Sequence, residues 1–164
     1  MLRYDLLKGL KRPLDGGRCI GGRRIFGDNK TWRGAVCMTL GVVLATVVLW
    51  QWGWWRDQLP DEINASSPLL VGLLIGLGTV LGELPNSFLK RRLDIAPGTR
   101  RHSPGGIALA ILDQGDLVLG IWILLMPVWV MPVWLVVVAF AAISAIHAVI
   151  NVIGYAVGAR TAPV

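Results

Sequence analysis

The sequence predicts an all-α integral membrane protein: about four transmembrane helices, a cytosolic Gly/Arg-rich N-terminal segment and a polar site facing the cytosol. Of 164 residues, 54% are hydrophobic and only 16% charged, against roughly 25% charged in an average soluble domain. A mean hydropathy of +0.61 excludes a disordered chain. The charge is also segregated: of 16 Lys and Arg, nine lie within residues 3–33 and five within 90–101, leaving Arg56 and Arg160.

Residues 1–33 form the expected cytosolic segment, and residues 34–164 the transmembrane domain. The first span is expected at 34–55, a run without a charge, where 22 residues at about 1.5 Å each cover roughly 33 Å, close to the hydrocarbon thickness. The second, about 68–89, carries Glu83; the third, about 105–126, carries Asp113 and Asp116; the fourth, about 133–157, carries His147, Asn151 and Tyr155.

Charge orients these spans. The 56–67 loop holds Asp57, Asp61 and Glu62 against one arginine, whereas the next holds Lys90, Arg91, Arg92, Arg100 and Arg101. Positive charge stays inside, so the N-terminal segment, the 90–104 loop and the C-terminus are expected in the cytoplasm, with the chain in the inner (cytoplasmic) membrane. Trp50, Trp52, Trp54, Trp55, Trp129 and Trp134 fall near the outer interface, where indoles anchor. The net charge of +6 and pI near 10.0 therefore mark cytoplasmic loops and point to no nucleic acid. Residues 1–13 lack the apolar core of a cleavable signal, and Cys19 and Cys37 suit neither a disulfide framework nor a zinc knuckle.

Ionisable groups inside a span cost at least about 2.5 kcal/mol each on insertion scales, which makes them functional candidates. Glu83, Asp113, Asp116, His147 and Asn151 all fall in the inner half. Asp113 and Asp116 are spaced i, i+3, and His147, Asn151 and Tyr155 i, i+4, i+8, so each set shares a helix face. A single His or Asn at such depth most often bonds helix to helix. Two acids within a turn repel unless a cation sits between them. Gly82, Gly105, Gly106, Gly115 and Gly120 divide evenly between close packing and letting backbone approach a ligand.

The segment 15-DGGRCIGGRRIFGDNKTWRG-34 combines Gly16, Gly17, Gly21, Gly22 and Gly27, with their exposed amides, and the cations Arg23, Arg24, Lys30 and Arg33. Phosphate binding asks for such a combination, although no Walker pattern is present. Membrane-level carboxylates, a Lys-Arg-Arg cluster at their mouth and this loop form the set needed to hold Mg²⁺ and a nucleoside triphosphate beside a lipid headgroup.

Taken in order, 13-PLDGGRCIGGRRIFGDNKTWRG-34, 82-GELPNSFLKRRLDIAPG-98, 113-DQGD-116 and 147-HAVINVIGY-155 resemble the CDP-archaeol synthase family of membrane cytidylyltransferases, in its bacterial branch. The resemblance runs from Pro13 over nearly the whole chain. The basic pair followed by D-x-x-D is more distantly similar to phosphatidate cytidylyltransferases. It implies transfer of CMP from CTP to a lipid phosphate, with Mg²⁺, giving a CDP-lipid and pyrophosphate. It also implies a further transmembrane helix ahead of the P-L-D-G-G stretch, where this chain has only a dozen residues, and Asp at the position of Glu83.

On that reading the catalytic residues are Asp113, Asp116, Lys90 and Arg91. Asp113, Asp116 and Glu83 would hold the metal. Lys30, Thr31, Arg33, Asn86, Ser87 and Arg92 would contact substrate, and His147 and Asn151 would line the pocket. CTP, a lipid phosphate and membrane lipids are the expected partners, with a homo-oligomer left open. Two rivals stay open: a small cation or proton carrier, which predicts acids in both membrane halves, and a non-catalytic partner subunit that keeps the motifs.

Overall fold

A computed structural model describes residues 7–95 and 104–156. Among these, four long helices carry the architecture: α1 (Trp32–Leu49), α4 (Pro68–Arg92), α5 (Pro104–Leu125) and α6 (Val133–Ala156). The short helices α2 (Gly53–Arg56) and α3 (Asp61–Asn64) lie between the first two. Helices α1 and α4 are each long and apolar enough to cross a membrane.

The N-terminal segment is more ordered than a flexible basic arm and adds a small β element to the expected all-α class. Strands β1 (Cys19–Ile20) and β2 (Arg23–Arg24) pair antiparallel, with Ile20 opposite Arg23. The two-residue connection is Gly21–Gly22, with φ of 58° and 75°, the positive pair that a tight hairpin turn demands and that side chains oppose.

Helix α1 starts two residues earlier than expected because Thr31 caps it, its Oγ1 accepting the Gly34 amide at 3.2 Å. It also ends earlier, so the expected 34–55 span divides. The Trp50 amide closes the last turn on the Thr46 carbonyl at 2.9 Å, Trp52 is extended, and α2 begins at Gly53. Helix α4 runs three residues past the expected end and takes Lys90, Arg91 and Arg92 into its last turn, where cations face the carbonyl-rich end of the helix dipole.

The principal packing is α1 on α4, α4 on α5 and α5 on α6. Glycine sets how close these approaches are. A β-carbon on Gly72 would meet Val43 Cα of α1 at 2.9 Å, and one on Gly76 would meet Thr39 Cα at the same distance. On the other side of α4, a β-carbon on Gly78 would meet Ile121 Cα at 2.6 Å, and one on Gly82 the Asp116 carbonyl oxygen at 2.5 Å. Gly120 approaches Gly78 and Gly82 in return, and Gly115 faces the Phe140 ring of α6. Close packing is thus the role of Gly82, Gly115 and Gly120, as in small-residue helix pairs within bilayers.

A small apolar core of Ile63, Val71 and Leu125, flanked by Trp50, Leu59 and Trp129, closes the end of the bundle that carries α2 and α3. Elsewhere large apolar side chains face outward, with Leu44 66% and Trp134 67% exposed. The buried polar residues Asn86 and Asp116 lie towards the opposite end, and Asp15 in the loop beyond it.

Candidate functional site

Asp15 organises the loop that covers the C-terminal end of α4. Its side chain is wholly shielded from solvent. The Gly17 amide donates to Oδ1 at 2.9 Å, and the Phe26 and Gly27 amides donate to Oδ2 at 3.0 and 3.1 Å. Arg24 adds Nη2 to Oδ1 at 2.7 Å and Nε to Oδ2 at 3.3 Å. Burial opposes ionisation, but the Arg24 guanidinium and the three amides outweigh it and hold the carboxyl well below the usual carboxylate range. The hydrogen bonds that Arg24 donates to Asp15 and Asp28 raise its own pKa in turn. Two of the glycine amides expected to be exposed for phosphate therefore face the loop's own carboxylate.

The hairpin is fastened to α4 by arginines from both sides. Arg92 donates to the carbonyls of Ile20, Arg23 and Arg24 at 2.5, 2.9 and 2.8 Å, and its guanidinium lies 5.0 Å from the Phe88 ring centre. Arg23 reciprocates, donating to the Arg92 carbonyl at 2.5 Å and to Asp94. Arg91 donates through Nε to the Phe26 carbonyl at 3.3 Å and through Nη1 to the Ile95 carbonyl. Arg92, expected to contact substrate, is thus directed at backbone. Arg91 divides between backbone and an open cavity of about 310 Å³ that it lines with Arg23, Arg24, Asp28 and Asp94.

Beyond the hairpin the chain turns into α1, and Lys30 forms an ion pair with Glu83 of α4. Both residues are partly exposed and line a cavity of about 130 Å³ with Thr31, Gly34, Thr79 and Leu84. Thr31 caps α1, so that helix's positive end opens beside Lys30. One turn further along α4, the buried Asn86 donates through Nδ2 to Asp116 Oδ2 of α5 at 3.1 Å. The close approach at Gly82 allows this contact. Asn86 and Asp116 also border a mainly apolar groove of about 410 Å³ walled by Leu81, Leu89, Leu119 and Ile123.

Two polar pairs therefore flank the C-terminal half of α4, Lys30–Glu83 with Thr31 on the side of α1 and Asn86–Asp116 on the side of α5, with Arg91 in the last turns of the same helix. Ser87 lies beside them, its hydroxyl donating to the Glu83 carbonyl at 2.9 Å. Lys90 is partly buried in the final turn and Arg33 in the first turn of α1. Asp113 falls on α5 and His147, Asn151 and Tyr155 on α6, but their side chains lie outside the described residues. Sequence reasoning missed the role of Asp15 and its pairing with Arg24. The only available signal was the acid of P-L-D-G-G inside a run of cations.

Glu83, Asp116 and the Asn86 amide offer hard oxygen donors. Among the described residues no three His, Cys, Asp or Glu form a metal-binding group. Mg²⁺ commonly takes one or two carboxylates and completes its shell with water and substrate phosphate, so the oxygens of the Asn86–Asp116 pair suit it, while Glu83 lies on the α1 side of α4, paired with Lys30.

Comparison with known proteins places the chain. The sequence matches the CarS-like family, CDP-archaeol synthase, over residues 3–164. It is 38% identical to the CDP-archaeol synthase of Halobacterium salinarum, covering 96% of this chain and 86% of that protein. It is 34% identical to that of Methanoregula boonei, covering 87% and 82%. A solved structure described as an intramembrane enzyme for archaeal membrane lipids biosynthesis superposes with a TM-score of 0.66 and 27% identity, covering 91% of this chain and 84% of that one. These relatives give no support to the narrower expectation of a bacterial branch. With a sequence match over nearly its full length and a helical fold shared with an intramembrane enzyme, the chain belongs to the CDP-archaeol synthase family, a family of membrane CTP-dependent cytidylyltransferases.

Proposed function

We propose that the protein catalyses Mg²⁺-dependent transfer of CMP from CTP to the phosphate of a membrane lipid, releasing pyrophosphate and leaving a CDP-activated lipid. The observation that supports this reading is the pair of polar contacts Lys30–Glu83 and Asn86–Asp116, made from neighbouring turns in the C-terminal half of α4, the end that a loop rich in cations covers. In the membrane α1, α4, α5 and α6 form four spans. The hairpin end, the 96–103 connection and the C-terminus face the cytoplasm, so the site opens to soluble nucleotide and to inner-leaflet headgroups alike.

In the reaction an oxygen of the lipid phosphate forms a bond to the α-phosphorus of CTP as the bond to the β-phosphate oxygen breaks in line. The attacking phosphate is ionised at neutral pH, so no residue need act as its base. Lys30, Lys90 and Arg91 neutralise phosphate charge, and the capped start of α1 at Thr31, with Arg33 beside it, adds amide dipoles and a further cation. Glu83, Asp116 and Asp113 would hold Mg²⁺, with Asn86 orienting Asp116 and Ser87 supporting the same turn. When bound, the ion offsets the charge that develops on the triphosphate. Arg92 and Arg23 serve the site by holding the hairpin over it.

The test is incorporation of radiolabel from CTP into lipid by membranes containing the protein, over a panel of lipid phosphates. Label is expected to depend on Mg²⁺ and on one class of lipid phosphate, and to be lost in Asp116→Asn with insertion retained. Wild-type protein that inserts normally and labels no lipid phosphate would sink the reading.

A further inference from the structure

We infer that Asp15 is a positioning residue for nucleotide use: its carboxylate fills the amide cradle of the Gly/Arg-rich loop and so fixes where that loop holds Arg91 and Lys30. The inference rests on the proposed CTP chemistry.

A shielded carboxylate outside the membrane, in a segment dominated by Arg and Lys, has no hydrophobic reason to be buried. It is buried because three backbone N–H groups and one guanidinium converge on its two oxygens. Successive amides turned inward in this way make an anion-binding nest, and here the anion is covalently part of the loop. The other acids nearby contrast with it. Asp28 and Asp94 also pair with arginines, but their side chains are 76% and 66% exposed, so water readily replaces those contacts.

The amides that Asp15 grips belong to the residues that meet the site. Phe26 gives its carbonyl to Arg91 Nε. A β-carbon on Gly27, whose φ is +93°, would come within 3.2 Å of that same nitrogen. The Gly27 carbonyl accepts the Lys30 amide at 3.3 Å, and the Lys30 carbonyl accepts the Leu14 amide, next to Asp15, at 2.7 Å. One carboxylate thus ties the start of the loop to its end. Lys30 leaves that knot to meet Glu83, and Arg91 packs beneath it.

Asp15→Asn keeps the side-chain volume but replaces one oxygen with a donor among donors and removes the ion pair to Arg24. The test compares Asp15→Asn, Asp15→Glu and, as a control at an exposed acid away from the site, Asp57→Asn for the kinetics of CTP-dependent lipid labelling. It also follows trypsin cleavage after Arg18 and Arg23 without nucleotide. Asp15→Asn should raise KM for CTP about ten-fold or more while kcat per inserted protein stays within about two-fold and KM for the lipid phosphate holds. Cleavage should accelerate. Asp15→Glu, charged but one methylene longer, should fall between the two and keeps the test decisive if the Asn variant does not insert. Asp57→Asn should match the wild type. In combination with Arg91→Ala, Asp15→Asn should add less than its effect alone, because part of that effect passes through Arg91.

A fall in kcat with KM unmoved would reduce Asp15 to a folding residue and overturn the inference, as would additivity with Arg91→Ala or unchanged cleavage. If the wild type uses no CTP, the proposed function fails by itself. The cleavage arm then still decides whether Asp15 orders the loop.

Discussion

Gly82 of α4 lies against the carbonyl of Asp116 on α5 so closely that a β-carbon would stand 2.5 Å from its oxygen. One turn away, the same approach lets Asn86 reach the Asp116 carboxylate at 3.1 Å. Gly82→Ala must push the helices apart at the level of the acid. It is expected to lower stability by about 1–3 kcal/mol, the usual range for overpacking, and to reduce lipid labelling more than Gly41→Ala, whose site is open. Thermal unfolding in detergent, beside labelling, checks both.

Arg92→Lys should release the hairpin although it keeps the charge. A single ammonium cannot reproduce a planar fork that reaches the carbonyls of Ile20, Arg23 and Arg24. A loss of about 1–3 kcal/mol is expected, together with faster modification of the exposed Cys19. A variant with wild-type thiol kinetics would show that Arg92 does not hold the hairpin.

These two sites illustrate what the sequence makes legible. Uninterrupted apolar runs marked the long helices to within a few residues, except where Thr31 capped early and Trp52 broke the first run. That Glu83 and Asp116 stand out along the apolar helices was readable because ionisable groups are rare there. The division of labour among the arginines was not. Arg91 and Arg92 are adjacent and chemically alike, yet one lines a cavity while the other binds three carbonyls. That depends on a hairpin whose strands are only two residues long, too short for any alternating pattern. Asp15 was hidden for the same reason: its partners lie two to twelve residues away and converge only after folding.

Exchanging the charges of the Lys30–Glu83 pair separates packing from chemistry. Lys30→Glu and Glu83→Lys are each expected to abolish labelling and to impair the α1–α4 contact. The double variant should regain insertion and thermal stability, because the attraction is restored, but not activity, since the acid and the cation then stand at exchanged positions. Recovery of CTP-dependent labelling in the double variant would show that only pairing matters.

The hairpin's dependence on pH follows from the direction of the Asp15 shift. Its folded pKa is depressed, so its contribution is fully present above the unfolded value of about 3.9 and is lost as pH falls below it. Wild-type stability should therefore decline on acidification below about pH 4 more steeply than that of Asp15→Asn. Melting curves across that window check the sign. Parallel curves would show that other carboxylates dominate.

Orientation can be read with one native and one introduced thiol. Cys19 is exposed in the hairpin, and Ser67 is exposed at the start of α4 without a capping bond. In intact cells an impermeant maleimide should label Ser67→Cys and spare Cys19 until the membrane is opened. The reverse pattern would invert the layout.

Helix α4 presents glycine on two sides, Gly72 and Gly76 to α1 and Gly78 and Gly82 to α5. Its freedom to drift over evolutionary time is therefore unlike that of its neighbours. Along α6, where Val137, Val138, Ile146 and Val149 face outward, one apolar residue can replace another without altering a helix contact. Along α4 the same exchange at any of four positions displaces a whole neighbouring helix. Divergence between distant relatives should accordingly accumulate on α6 and on the outward face of α1, while α4 changes chiefly at its exposed leucines. A library of random substitutions scored for insertion alone, with no substrate present, would display that asymmetry.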